Sequence, residues 1–528
     1  MAAELLAVLL GAVVLSAVTR RYNQSSPLVL VVAGLAVTLI PGFPDVDLDP
    51  DLVLFVVLPP LLWSAGLESS YVSLRRSFAP ISALAVGLPL ATTFAVGFVA
   101  YRTVPELTLA AALVLGAVVA PPDAVSAAAV GRKVGLSRRT MTLLGGESLL
   151  NDATALTAYK VTLGAAIGMA ESFGHAAGVF VWAVVGGVAV GWVTGHLIVW
   201  FRGWLDDSVA ESAIGLLAPF VLYFVTEEIG GSGVLAVVVA ALVLGHRSTE
   251  AGYATRLQDD AVWRAVQLML ESFAFLLIGL QLPQVVTGMH GVPFVTIAVS
   301  SVAVFATVLV VRIAWVFGFT YLVPHPQREK PTAAGTLVVA WAGMRGVVSL
   351  AAAFGIPLTT LSGADFPGRS HIIFLTFVVV VGTLLLHGLT LPWLIRRLGV
   401  GGDAEAHSDA LAIVAVRTRA ATAAEHRLDE RLARARASGK PMEAYEQAAK
   451  VLREWNRRRR DEAWDDRLGR RDEEMGPAPA AVFRRLRLDM LAAERETFIA
   501  ERDADRIDDE VLRRLMRDLD LQEATLNR

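Results

Sequence analysis

The chain contains no cysteine in its 528 residues. That absence excludes a disulfide framework, a thiolate metal site and a cysteine nucleophile. Charge is the second scarcity: Lys, Arg, Asp and Glu make up 18% of the residues against 55% hydrophobic ones. It is also unevenly placed. The first 400 positions hold 43 charged residues and the last 128 hold 54, the pattern of a polytopic membrane domain over 1–398 followed by a charged, soluble tail over 399–528. The net charge of −3 averages these two unlike halves and points to no nucleic-acid partner. The nine histidines are scattered without metal-ligand spacing, and no glycine cluster reads as a phosphate-binding loop between a strand and a helix. No cofactor is expected from these residues.

What is present is a series of apolar runs. The first, Leu5–Val18, follows Glu4 and precedes Arg20 and Arg21. A secretory signal carries its positive charge ahead of the apolar segment, so this one reads as a retained helix. Twelve more runs follow at about 27–41, 51–69, 78–102, 107–130, 140–166, 174–201, 209–228, 232–246, 263–285, 292–323, 332–358 and 370–395, each read as a membrane crossing. The connections on one side then hold sixteen Lys and Arg residues, and those on the other only Arg102 and Arg369. By the positive-inside rule this places the N-terminus outside the cell membrane and the tail in the cytoplasm. Thirteen crossings also admit two six-helix repeats around a linking seventh. In such a repeat the fifth span, broken by Pro121-Pro122, corresponds to the twelfth, which carries Gly343-Met344-Arg345-Gly346. Paired interruptions of this kind mark the binding site of secondary transporters.

The sixth run carries Glu147, Ser148, Asn151 and Asp152. Helical spacing sets Ser148 one turn before Asp152 and Glu147 one turn before Asn151, so the four polar groups form one patch. An ionisable group at mid-membrane costs at least about 2.5–3.5 kcal/mol on insertion scales and marks a functional site by default. Pro122, Asp152 and Arg345 each lie roughly 12 to 15 residues into their spans, about half of a bilayer-crossing helix, so all three are expected near the midplane.

A group that alternately carries a proton and a cation must be a carboxylate dry enough for protonation to compete with ionisation. Its neighbours must supply oxygens that replace a hard ion's hydration shell. Asp152 has Ser148 on its own helix and Asp123 on the broken one, and Pro122 leaves backbone carbonyls near the break without helical partners. Oxygen ligands favour Na⁺-like ions over soft metals. Arg345 cannot give up its proton and needs a permanent partner. Glu147 is the natural candidate, bridged or oriented by Asn151, while Asp152 exchanges. Glu271 and Arg312, also inside spans, are expected to pair structurally, and Lys160, two turns beyond Asp152, to snorkel or pair. Gly187, Gly191 and Gly195 are spaced for close helix packing. In the tail, Gly476-Pro477 divides at least two helical segments, and Arg457–Arg460 with the acids after it reads as a solvated helix with internal ion pairs, or more weakly as a contact for lipid or a regulator.

Several of these motifs resemble, in order, the bacterial monovalent cation:proton antiporter-1 family of sodium/proton exchangers. They are Gly145–Leu156 with its Asn151-Asp152 pair, Pro122-Asp123, Gly343-Met344-Arg345-Gly346 and LIGLQLP at Leu277–Pro283. The resemblance covers about residues 1–398. It implies thirteen helices in two inverted repeats, a homodimer, an elevator-like movement, and cation binding through Asp152, Asp123, Ser148 and the residue at 122. It also implies that the Asn-Asp pair goes with electroneutral one-for-one exchange. One departure stands out: the family commonly has Thr-Asp-Pro where this chain reads Pro122-Asp123-Ala124, so a hydroxyl is missing and ion selectivity is open. The alternatives are exchange of K⁺ or Li⁺ at the same site, a membrane enzyme using Asp123 and Asp152 as an acid–base dyad, and a sensor that signals through its tail.

Overall fold

The structure, a computed structural model, describes residues 2–22, 26–38, 50–123, 131, 136–169, 173–205, 207–289, 292–323, 332–400, 403–438, 441–468, 479–504, 506 and 509–526. The rest of the fifth run, the connection with Arg132 and Lys133, the loop with Arg328 and Lys330, and Gly476-Pro477 lie outside the described residues, as do the side chains of Arg458–Arg460 and of the acids that follow. The chain divides into two compact units, Met1–Gly402 and Asp403–Arg528.

A described helix stands on each of the thirteen apolar runs. In chain order they are α1 Ala2–Arg21, α2 Ser26–Thr38, α3 Pro50–Glu68, the short α4 Tyr71–Arg76, α5 Phe78–Ser82 continuing through a π-helical turn into α6 Leu88–Thr103, and α7 Leu109–Val118. There follow α8 Arg138–Ile167, α9 Phe173–Leu205, α10 Ser208–Glu228, α11 Gly233–His246, α12 Tyr253–Leu280, the short α13 Leu282–Thr287, α14 Phe294–Leu322, α15 Ala333–Trp341, α16 Val347–Phe354 and α17 Arg369–Leu398. Six described helices are long and apolar enough to cross a bilayer. Two of them, α9 and α14, turn large apolar side chains outward, among them Trp182, Trp192, Trp200, Val302 and Val310, as a surface facing hydrocarbon would.

Helix limits follow from local chemistry. The side chains of Thr108, Ser137, Ser232 and Thr332 accept from backbone N–H groups of the first turns of α7, α8, α11 and α15, satisfying donors that have no intrahelical partner. Gly168, at φ +95°, ends α8 in a left-handed conformation that favours glycine. Side-by-side packing depends on small residues. A Cβ at Gly34 or Gly279 would collide with the facing backbone of α12 or α2, and one at Gly187, Gly191 or Gly195 would press on α11. Trp315 of α14 donates to Ala83 O at 3.0 Å, at the π-helical turn.

The second unit is helical: α18 Asp403–Ala437, α19 Glu443–Leu468, α20 Pro479–Asp503 and α21 Asp509–Leu526. Its described charges pair both within helices and between them. Arg453 meets Asp429 at 2.6 Å and Arg436 meets Glu446 at 2.8 Å, joining α18 to α19. Arg495 reaches Asp520 and Glu523 at 3.1 and 2.7 Å, joining α20 to α21.

Candidate functional site

Two runs leave the helical path inside the membrane unit. After α7 the chain is irregular at Pro121, Pro122 and Asp123, and between α15 and α16 it is irregular from Ala342 to Gly346. The two breaks touch: Asp123 N–H donates to Met344 O at 2.7 Å. Gly346 lets them approach, since a Cβ there would fall 2.7 Å from the Asp123 side chain. α8 passes beside this crossing, and Asn151, fully buried, donates through Nδ2 to Pro122 O at 2.9 Å. Glu147, Asn151 and Asp152 are all buried, and Ser148, one turn before Asp152, is half buried. Asp123 is within electrostatic reach of Asp152. The structure thus brings Pro122, Asp123, Asn151 and Asp152 to one place.

The ion pair differs from the sequence expectation. Glu147 pairs with Arg312 of α14 and not with Arg345: Arg312 Nη1 and Nη2 donate to the two carboxylate oxygens at 2.5 and 3.0 Å. Arg312 also donates to Ala340 O and Val339 O, each at 3.1 Å, and so satisfies the last carbonyls of α15. Among the described residues the Arg345 guanidinium rests on backbone carbonyls. Its Nε donates to Val119 O at 2.7 Å and its Nη1 to Gly343 O at 3.0 Å, while its own N–H donates to Thr383 Oγ1 at 3.0 Å. The physical reason is that a broken helix ends in unpaired carbonyls with partial negative charge. A guanidinium can rest on them without a carboxylate. Each arginine therefore caps a helix that ends at a break, Arg345 closing α7 and Arg312 closing α15. Asn151 likewise orients the Pro122 carbonyl rather than bridging Glu147 to Arg345.

The expectation of structural pairing holds for Arg312, whose signal was a lone arginine in an otherwise apolar run. Glu271 accepts from Gln267 Nε2 at 2.6 Å within α12. Lys160 pairs with Glu227 at the end of α10. His387 is buried on α17 with its ring against Trp341, centroids 5.2 Å apart.

Among the described residues no three or more His, Asp or Glu side chains gather as a metal chelate. The oxygens near Asp152 are of another kind: two carboxylates, a hydroxyl, and a carbonyl with one lone pair taken by Asn151. At this crossing two buried polar atoms, Asn151 Oδ1 and Arg345 Nη2, lack a hydrogen-bond partner among the described residues. A sparse, all-oxygen set beside unsatisfied polar atoms suits a partly hydrated monovalent ion better than a transition metal.

Comparison with known proteins agrees with this geometry. A family model described as sodium/hydrogen exchanger, transmembrane, matches residues 5–397. An uncharacterized Na⁺/H⁺ exchanger of Mycobacterium tuberculosis is 36% identical over a 536-residue alignment that covers 98% of this chain and 95% of the relative, so the likeness includes most of the tail. A sodium, potassium, lithium and rubidium/H⁺ antiporter of Bacillus pumilus is 32% identical over 412 residues, covering 74% of this chain and 61% of its own. The structure of the sodium proton antiporter MjNhaP1 from Methanocaldococcus jannaschii at pH 8 matches with a TM-score of 0.60 at 18% identity, over 75% of this chain and 97% of that one, a likeness of fold. With two runs that leave the helical path and meet beside a helix bearing buried acids, and a match along the whole apolar region, this chain belongs to the sodium/hydrogen exchanger family of multi-pass membrane antiporters.

Proposed function

We propose that the protein exchanges Na⁺ for H⁺ across the cell membrane, one for one and without net charge movement, with Asp152 carrying either ion. The observation that carries this reading is the Asn151–Pro122 hydrogen bond at 2.9 Å. It fixes α8 against the first break, so that Asp152 shares a site with Asp123 and the second lone pair of the Pro122 carbonyl. Ser148 supplies the hydroxyl, and together these oxygens replace part of a cation's water shell. The charge count supports electroneutrality. Glu147, Asp123 and Asp152 face two permanent cations, Arg312 and Arg345. With Asp152 ionised the set carries one net negative charge, which one proton or one monovalent cation cancels equally well.

In this reading thirteen helices cross the membrane as two inverted six-helix repeats about a linking helix. Their dyad relates the break capped by Arg345 to the break capped by Arg312. The N-terminus lies outside and the tail, 399–528, in the cytoplasm, where a regulator could engage it. The protein works as a lipid-embedded homodimer in which the crossing moves against a scaffold to alternate access, and it serves pH and sodium balance without a cofactor. Exchange of K⁺ or Li⁺ for H⁺ is the second reading. It is favoured by Pro122, which removes a hydroxyl from the site, and by the broad cation range in the name of the Bacillus pumilus relative.

The test is proton movement in proteoliposomes driven by imposed Na⁺, Li⁺ or K⁺ gradients. Wild type responds to Na⁺, and Asp152→Asn, purified as a folded protein, responds to none. Equal responses in the two proteins, or wild-type silence with every cation, would reject the reading.

A further inference from the structure

Lys160 and Glu227 form an ion pair between α8 and the end of α10 that the exchange chemistry does not use. The two partners are held in different ways. Glu227 stands on a fixed frame. Its other carboxylate oxygen accepts from Gly233 N–H at 3.0 Å, at the start of α11. The turn between α10 and α11 is pinned to α9, where Trp182 Nε1 donates to Ile229 O at 3.1 Å and Ser232 N–H donates to Ala183 O at 2.9 Å. α9 and α11 in turn interlock along Gly187, Gly191 and Gly195. Lys160 stands on the helix that carries the ion site. Earlier on the same helix, Asn151 is bonded to the first break and Glu147 to Arg312. α8 is therefore tied to the crossing by buried bonds; it also packs on α9 and α11, and the ion pair it makes toward that frame has a lysine side chain 51% exposed and a glutamate 26% exposed.

We propose that Lys160–Glu227 is a latch between the ion-carrying crossing and the α9–α11 frame, closed in the conformation seen here and opened in every transport cycle. The proposal rests on the alternating-access reading given above. It makes Lys160 and Glu227 positioning residues, which touch neither transported ion and set how readily the site changes sides. The chemistry suits that task. A partly exposed ion pair is weak enough to open at each turnover, and a small differential stabilisation is enough to shift a two-state population several-fold. A buried pair such as Glu147–Arg312 would cost far more to separate.

Two experiments test the latch. In the first, Lys160→Gln and Glu227→Gln are each made alone and together; the second keeps an acceptor for Gly233. Each single change is expected to move the cation KM on one side of the membrane several-fold. The double change adds nothing further, and Lys160→Arg restores the wild-type value. In the second, cysteines replace Lys160 and Glu227 in this cysteine-free chain and are joined by a reducible bifunctional thiol reagent. Exchange is expected to stop on joining and return on reduction. Full exchange through the joined protein, or glutamine variants with unaltered KM on both sides, would overturn the latch. If the cysteine variant is silent before joining, the glutamine cycle decides alone. Failure of the latch leaves a wild type that still needs Asp152, whereas failure of the site reading leaves a wild type that exchanges nothing.

Discussion

Between α9 and α11 glycine brings two backbones together: a Cβ at Gly187 would fall 2.6 Å from Ser232 O, and one at Gly195 would fall 3.0 Å from the Val243 side chain. At the crossing of the broken helices the glycines make room for charge instead. Gly343 lies under the Arg312 guanidinium, where a Cβ would collide with it, and Gly346 lies against the Asp123 carboxylate. The first region is an apolar seam of close backbone contact. The second gives up helical hydrogen bonds, recovers them through Arg312, Arg345 and Asn151, and keeps carboxylates beside the break. The same small residue thus serves stiffness in one place and chemistry in the other, and substitutions should separate the two.

The largest effect on stability is expected at the ion pair. Glu147→Gln or Arg312→Gln leaves a buried charge uncompensated, a loss of about 3–5 kcal/mol that a thermal melt in detergent would read. Making both changes together should recover part of it, and two additive single losses would argue against the pair. Next comes the glycine comparison. Gly191→Ala should overpack the α9–α11 seam, at a cost of about 1–3 kcal/mol, while leaving the cation KM near its wild-type value. Gly346→Ala should do the reverse, lowering exchange at least about tenfold, equivalent to about 1.4 kcal/mol of barrier, with a smaller fall in Tm than Gly191→Ala. If both variants lose stability and transport in the same proportion, the distinction between seam and crossing fails. Pro122→Thr returns a hydroxyl to the break and should change the relative KM values for Na⁺, Li⁺ and K⁺ by a few-fold, read from competing gradients. The smallest effect belongs to Gly178 on α9, where a Cβ meets nothing within 4 Å. Gly178→Ala should raise stability by about 0.5–1 kcal/mol through helix propensity and leave exchange unchanged.

That these three runs would meet was legible because they violate membrane economy: Glu147, Asn151 and Asp152 in one apolar run, and Pro121-Pro122 and Gly343–Gly346 in two others, are costly to place in hydrocarbon. The partner of Glu147 was not legible. Arg312 and Arg345 are both single arginines in long apolar runs, and α14 offers no periodic marker from which Arg312's depth can be judged. Nor does a side-chain sequence announce that a guanidinium will be satisfied by backbone carbonyls, as Arg345 is at Val119 O and Gly343 O. Those acceptors exist only because the helices break. Asn151 escaped for the same reason, since its acceptor is the carbonyl of Pro122. In the tail, composition and apolar spacing marked helices, but which arginine meets which acid depends on how α18 packs with α19 and α20 with α21, and composition carries no such register.

The central claim is that one carboxylate, Asp152, alternates between a proton and a monovalent cation against a fixed, balanced background. The most direct measurement is Na⁺-driven proton movement in proteoliposomes with the membrane potential clamped at zero, then left free, then imposed with either sign. The account predicts the same exchange rate in all four conditions and no potential generated by exchange itself. A rate that rises with a negative interior, or a potential that builds as Na⁺ moves, would show that more than one charge is exchanged per cation and would contradict the account.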